Sequence, residues 1–263
     1  MNIEKYYLFF ENYTNSFLKN ATNTSQAIHL NRKKEHSYRV TDLAFQIGKS
    51  LNLNEYDTFL IKIIALFHDL GRFPQFKKYE TYDDSISENH ALLSIQVIEE
   101  TNILSNFNNA DIEIIKKSIL LHNEKALPNN LNEKEFIFST ILRDSDKLDF
   151  FKGMVDIIPN LPKEEQKVFY SNKSENNVVS DIVYSKILNR ELVSNEELQT
   201  KLDKQVRSLG FITSDFNYIE SYKIIMNNDY IDKIYELLPK TKQVINIYNF
   251  TKSYVLDKLK DLK

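Results

Sequence analysis

The chain contains no cysteine. That absence excludes disulfides, thiolate nucleophiles, cysteine-held zinc and iron–sulfur clusters together, and it suits a cytoplasmic protein. Only four glycines and five prolines punctuate 263 residues, well below ordinary usage, so long stretches can run as uninterrupted helix. Charge of one sign is also missing: 34 Lys and Arg against 37 Asp and Glu leave a net charge of -3 and a pI near 6.0. Extended nucleic acid and anionic membrane would find no general field to bind, and a phosphate must be gripped locally. No run approaches the ~18 apolar residues of a membrane span. The most apolar stretch, 59–67, is broken by Lys62, and Glu4, Lys5 and Glu11 stand where a secretory signal would be apolar.

What is present is a spacing of three and four between apolar residues, which predicts an all-α fold. Helix is expected over 3–19, with Leu8, Phe9, Tyr13 and Phe17 inward, and over 33–51 with the stripe His36, Val40, Leu43, Ile47, Leu51. Asn54 is positioned to cap a third helix that ends at His68 and Asp69 before Gly71. Residues 72–88 read as an irregular loop. Further helices follow from about 87, with His90 in the first turn; over 111–122, with His122 in the last; and over 133–148 after an Asn132 cap, where Phe138, Leu142 and Asp146 share a face. Helical patterns recur at 178–192, 195–209 and 240–259. The chain is thus read as a helical core over 1–158 and C-terminal helices over 159–263 packed on the same bundle. Pro159 and Pro162 mark the boundary, and a homo-oligomer contact is one use for the second part.

Six residues stand out because they put polar groups where apolar ones are expected. His36, His68, Asp69, His90, His122 and Asp146 each lie near a helix end, and most continue a stripe that should face the core. One buried histidine is an ordinary core residue, which is the reading for His29 in the region ahead of the second helix. Four histidines and two aspartates doing so together point to a shared cation, because a buried carboxylate without a partner loses several kcal/mol of hydration. Imidazole with carboxylate and no thiolate suits Mn, Fe, Co, Ni or Zn better than Ca. Arg72 lies close enough to the His68-Asp69 doublet to reach a phosphate, and Lys147 beside Asp146 is a second such cation. Arg32, Lys33 and Lys34 read as a charge run at a helix start. Asp144 and Asp149 read either as partners that orient histidines or as surface acids.

With His36 in His36-Ser37-Tyr38-Arg39-Val40, the doublet in Leu66-Phe67-His68-Asp69-Leu70-Gly71-Arg72, and Asp146 in Arg143-Asp144-Ser145-Asp146-Lys147, the chain resembles the HD-domain superfamily of metal-dependent phosphohydrolases. That resemblance implies a helical bundle with the metal site at its centre. It implies one or two divalent ions, Mn, Fe, Co or Ni, and hydrolysis of a phosphoester or phosphoanhydride in a small nucleotide-like molecule by a metal-activated hydroxide. The two-metal members are similar in carrying intervening histidines. By resemblance, His36, His68, Asp69 and Asp146 would form one site and Asp69, His90 and His122 the other, with Asp69, Arg72 and Lys147 in catalytic roles. Two other readings stay open: a di-iron oxygenase of the inositol-oxygenase type, and a non-catalytic nucleotide sensor that keeps the metal cage. The phosphodiesterase subgroup has a histidine pair where this chain has His122-Asn123, and its Gly-Tyr-Pro motif is missing, which counts against cyclic di-GMP.

Overall fold

The structure, a computed structural model, describes residues 2–164, 166 and 176–260. All regular elements among the described residues are helical, and none is a strand. The chain divides into two compact units, Met1–Asp146 and Lys147–Lys263. The division falls earlier than the proline boundary at 158/159. The prolines mark where local helix ends, and the change of packing partners comes sooner, inside a helix that continues to Lys152.

The first unit is built from α1 (Glu4–Lys19), α2 (Thr24–Ser50), α3 (Glu55–Phe67), α4 (Arg72–Tyr79), α5 (His90–Thr101), α6 (Asn109–Leu121) and the greater part of α7 (Glu133–Lys152). Asparagine starts five of them. Asn23, Asn54, Asn89, Asn108 and Asn132 each accept a backbone N–H from the first turn of α2, α3, α5, α6 and α7, satisfying donors that the helix itself cannot pair. Helix α3 is the centre. Leu60, Ile61, Ile63, Ile64, Ala65, Leu66 and Phe67 are all fully buried, and a helix apolar on every side is stable only when neighbours surround it. Helix α2 packs along it, with α6 and α1 on other sides.

Three local expectations change. Helix α2 begins at Thr24 and not near residue 33, so His29 and Lys33 lie within it. The buried face Gln26, His29, Leu30 carries the helix back through the charge run. Residues 72–79, expected as loop, form α4. Pro74 is its third residue, where the missing N–H removes no helical bond, while Phe73, Gln75 and Phe76 face inward. On α1 the buried residues are Tyr6, Phe10 and Thr14, and Leu8 is turned to solvent. Aromatics on more than one side of that helix, Tyr6, Tyr7, Phe9, Phe10, Tyr13 and Phe17, leave its inward face undecided by spacing, and Thr14 can be buried because its hydroxyl donates to the Phe10 carbonyl at 2.9 Å.

The second unit contains α8 (Asp181–Leu188), α9 (Lys201–Ser214), α10 (Ile219–Asn227), α11 (Tyr230–Glu236) and α12 (Lys242–Lys260). Helix α9 packs on α8 and α12 through Leu202, Val206 and Leu209. It starts at a Thr200/Asp203 capping box, later than the 195 expected, because a separate short turn occupies 195–197. Within the expected 159–263 region, residues 165, 167–175 and 261–263 lie outside the described residues.

Candidate metal centre

The end of α3 meets the start of α5 at a separation only glycine permits. A Cβ on Gly71 would lie 2.2 Å from the His90 carbonyl oxygen and 2.6 Å from the Ser94 nitrogen. The Gly71 N–H donates to Ser94 Oγ at 2.8 Å, and that hydroxyl lies 2.8 and 2.9 Å from the carbonyl oxygens of His68 and His90. The doublet and His90 are thereby held against each other. Helix α2 brings His36 beside His68, with ring centroids 5.3 Å apart, and α6 ends at His122, whose ring centroid is 5.1 Å from that of His68. Helix α7 supplies Asp146, the last residue of the first unit.

The Asp69 carboxylate divides these groups. Its Oδ2 faces His36 Nε2 at 3.4 Å and His68 Nε2 at 3.5 Å. Its Oδ1 faces His90 Nε2 at 3.6 Å and His122 Nε2 at 4.0 Å. Asp146 Oδ1 closes the first group, 3.1 Å from His36 Nε2 and 3.8 Å from His68 Nε2. Two triads therefore share one aspartate, and in each, one donor atom per residue lies within 4.8 Å of the others.

Hydrogen bonds at the far side of three rings fix which nitrogen carries the proton. The Nδ1 atoms of His68 and His122 face the Ala65 and Ile119 carbonyls, and His90 Nδ1 faces Asp84 Oδ2. Carbonyl and carboxylate oxygens only accept, so each Nδ1 is N–H and each Nε2 presents a lone pair to the centre. His68 Nε2 is buried with no hydrogen-bond partner, and His90 Nε2 lies 2.9 Å from His122 Nε2. Lone pairs directed at one another, or at nothing, fit a cation between them, and a backing oxygen on the second nitrogen is how a metal-bound histidine is ordinarily oriented.

Charge agrees with geometry. Burial, followed by repulsion from Arg72 at His90 and from His90 and His68 at His122, lowers both histidines below their usual range. At neutral pH they are in the unprotonated form that binds metal. Burial acting alone would raise the Asp69 carboxyl, but Lys33, His68, His36 and Arg72 outweigh it and hold the group well below the usual carboxylate range. For Asp146, the neighbouring His36 and His68 likewise outweigh burial and hold the carboxyl well below its usual range.

The structure brings together His36, His68, Asp69, His90, His122 and Asp146, and it places the expected cations differently. Arg72 Nε is 3.5 Å from Asp69 Oδ1, but Nη1 donates to Gln75 Oε1, the Tyr82 carbonyl and Asp84 Oδ1 at 2.7–2.9 Å. Lys147 pairs with Asp215 at 2.8 Å within the second unit. Lys33, read as part of a charge run, reaches Asp69 Oδ2 at 2.7 Å, because it sits one turn before His36 on the same face of α2. Lys34 turns the other way, to Glu11. Asp144 and Asp149 are buried, not surface acids. Arg143, given no role from sequence, donates to the carbonyls of Leu121, His122 and Glu124 and so holds the end of α6 on which His122 rides. His29 packs on Phe76, ring centroids 4.9 Å apart, outside the centre.

The fold and the site together define an all-helical protein with a buried histidine–aspartate centre able to hold divalent metal. A family model described as the HD domain matches residues 34–150, a stretch that contains all six centre residues, and over that stretch the chain carries an HD domain. No curated protein and no solved structure matches it. No helix among the described residues is long and apolar enough to cross a membrane.

Proposed function

We propose that the protein is a metal-dependent phosphohydrolase acting on a phosphoester or phosphoanhydride bond of a small nucleotide-like substrate. The observation that carries this reading is the shared Asp69, whose two oxygens face two separate histidine pairs. His36, His68, Asp69 and Asp146 are the residues that would hold one divalent ion, and Asp69, His90 and His122 a second, with Mn, Fe, Co or Ni favoured by the all-nitrogen-and-oxygen donors. Such ions supply water of lowered pKa and neutralise phosphoryl charge.

The chain's own part is to grip and orient. Lys33 retains about a fifth of its side-chain exposure, so its ammonium can meet a substrate phosphate arriving from solvent while staying beside Asp69. Arg72 contributes positive charge at Asp69 Oδ1, but its Nη1 is committed to the chain. Lys147 is given no part, since Asp215 already neutralises it.

The test is release of phosphate or nucleoside phosphate from a panel of nucleoside mono- and triphosphates, dinucleoside polyphosphates and phosphodiesters, under anaerobic Mn(II), with Asp69→Ala as control. Turnover lost in the variant supports the reading. Turnover that requires Fe(II) and dioxygen would instead assign a di-iron oxygenase. A nucleotide bound and recovered uncleaved would assign a sensor.

A further inference from the structure

The segment between α4 and α5 carries an acid that the family match does not assign. Four N–H donors converge on Asp84. Its Oδ1 accepts from Arg72 Nη1 at 2.9 Å and from Gln75 Nε2 at 2.7 Å, while its Oδ2 takes His90 Nδ1 at 2.6 Å and the weaker Asn123 Nδ2 at 3.4 Å. Gln75 is fully buried, and its amide is fixed because Oε1 accepts from Arg72 while Nε2 also donates to Ser87 Oγ and the Glu88 carbonyl. Only a group with acceptors on both sides and no donor satisfies this position, and an ionised carboxylate is that group.

The geometry points to Asp84 as the positioning residue of the second metal site, keeping the His90 proton on Nδ1 so that the Nε2 lone pair faces His122 and Asp69. This rests on the two-ion reading above. The first site has no such dependence, because His68 takes its orientation from the Ala65 carbonyl, which no side-chain change removes. The two sites should thus be separable by one substitution remote from the ligating atoms.

Asp84→Asn makes the test. An asparagine keeps the size of the acid but must place its amide nitrogen against one side. Arg72 and Gln75 offer two donors and claim the oxygen, leaving the NH2 facing His90. His90 can accept from it only by moving its own proton to Nε2, where it blocks the metal. The experiment is Mn(II) titration of the full-length protein by equilibrium dialysis, with electron paramagnetic resonance of the bound manganese and His90→Ala in parallel. The expected result is an unchanged first ion and a second ion weakened on the order of 10–100-fold, with the exchange-coupled pair spectrum replaced by that of isolated Mn(II).

Two tightly bound, coupled ions in Asp84→Asn would overturn the assignment. Two ions retained by His90→Ala would overturn the second site itself, and Asp84's role with it. Loss of the second ion in Asp84→Asn with no hydrolysis by either protein would support the positioning role and overturn the hydrolytic reading alone. If Asp84→Asn does not fold by circular dichroism, Asp84→Ala removes the acceptor without adding a donor and is read in the same way.

Discussion

His90 Nε2 and His122 Nε2 face each other at 2.9 Å while both rings spend their other nitrogen on an oxygen acceptor. Two neutral imidazoles so arranged repel unless a cation joins them. We therefore expect His90→Ala and His122→Ala each to lose one of two bound ions, measured as metal per chain by elemental analysis, with the ion at His36, His68 and Asp146 retained. One ion in the unaltered chain, unchanged in both variants, would contradict the two-site reading.

Asp69 belongs to both triads. Asp69→Ala is expected to abolish metal retention and lower turnover at least ~10³-fold, with helical content by circular dichroism close to that of the unaltered protein, since α3 is held by its apolar faces and not by this acid. An active Asp69→Ala protein would rule out the mechanism.

Lys33 and a metal ion compete for the same oxygen, Asp69 Oδ2. Lys33→Met should therefore bind the first ion no more weakly than the unaltered chain, while turnover falls on the order of 10²-fold through loss of a phosphate contact. Isothermal titration with Mn(II) beside steady-state kinetics separates these effects. A variant that loses both metal and turnover would mean that Lys33 supports the site structurally.

Gly71 has no room for a side chain, and the obstructing atoms include backbone of α5. Gly71→Ala should cost about 1–3 kcal/mol by overpacking, seen as a melting temperature lower by roughly 3–10 °C. Metal retention should fall as His90 moves away from Asp69. Unchanged melting and metal content would show that α5 can shift freely.

The metal-free protein should lose stability as pH falls from neutral. His90 and His122 are lowered in the folded state and return to about 6.5 on unfolding, so below that value the unfolded chain binds more protons and is favoured. Stability from these groups is full above about pH 7 and is lost as pH falls below 6.5. Denaturant unfolding in EDTA at several pH values should show this slope, and His122→Asn should reduce it. The acids act lower, because Asp69 and Asp146 are also depressed and their contribution disappears only below the ordinary carboxylate range.

The sequence by itself determined the class of fold and the identity of the six central residues, because both are written in helical spacing. Few glycines and prolines left long helices, and a histidine or aspartate continuing an apolar stripe had to be buried with a partner. It also placed Asn54 at the start of α3. Spacing along one helix says nothing about which residue of another helix it meets, and the remaining features were decided there. Lys33 looked like part of a solvated charge run until α2 extended back through it and turned it to Asp69, while neighbouring Lys34 went to Glu11. Lys147, one residue from Asp146, was drawn to Asp215. Asp84 became a partner of His90 because α4 formed where a loop was expected and supplied Arg72 and Gln75 to hold it. Local periodicity selects the groups that must be buried; only packing between helices settles which charges they meet.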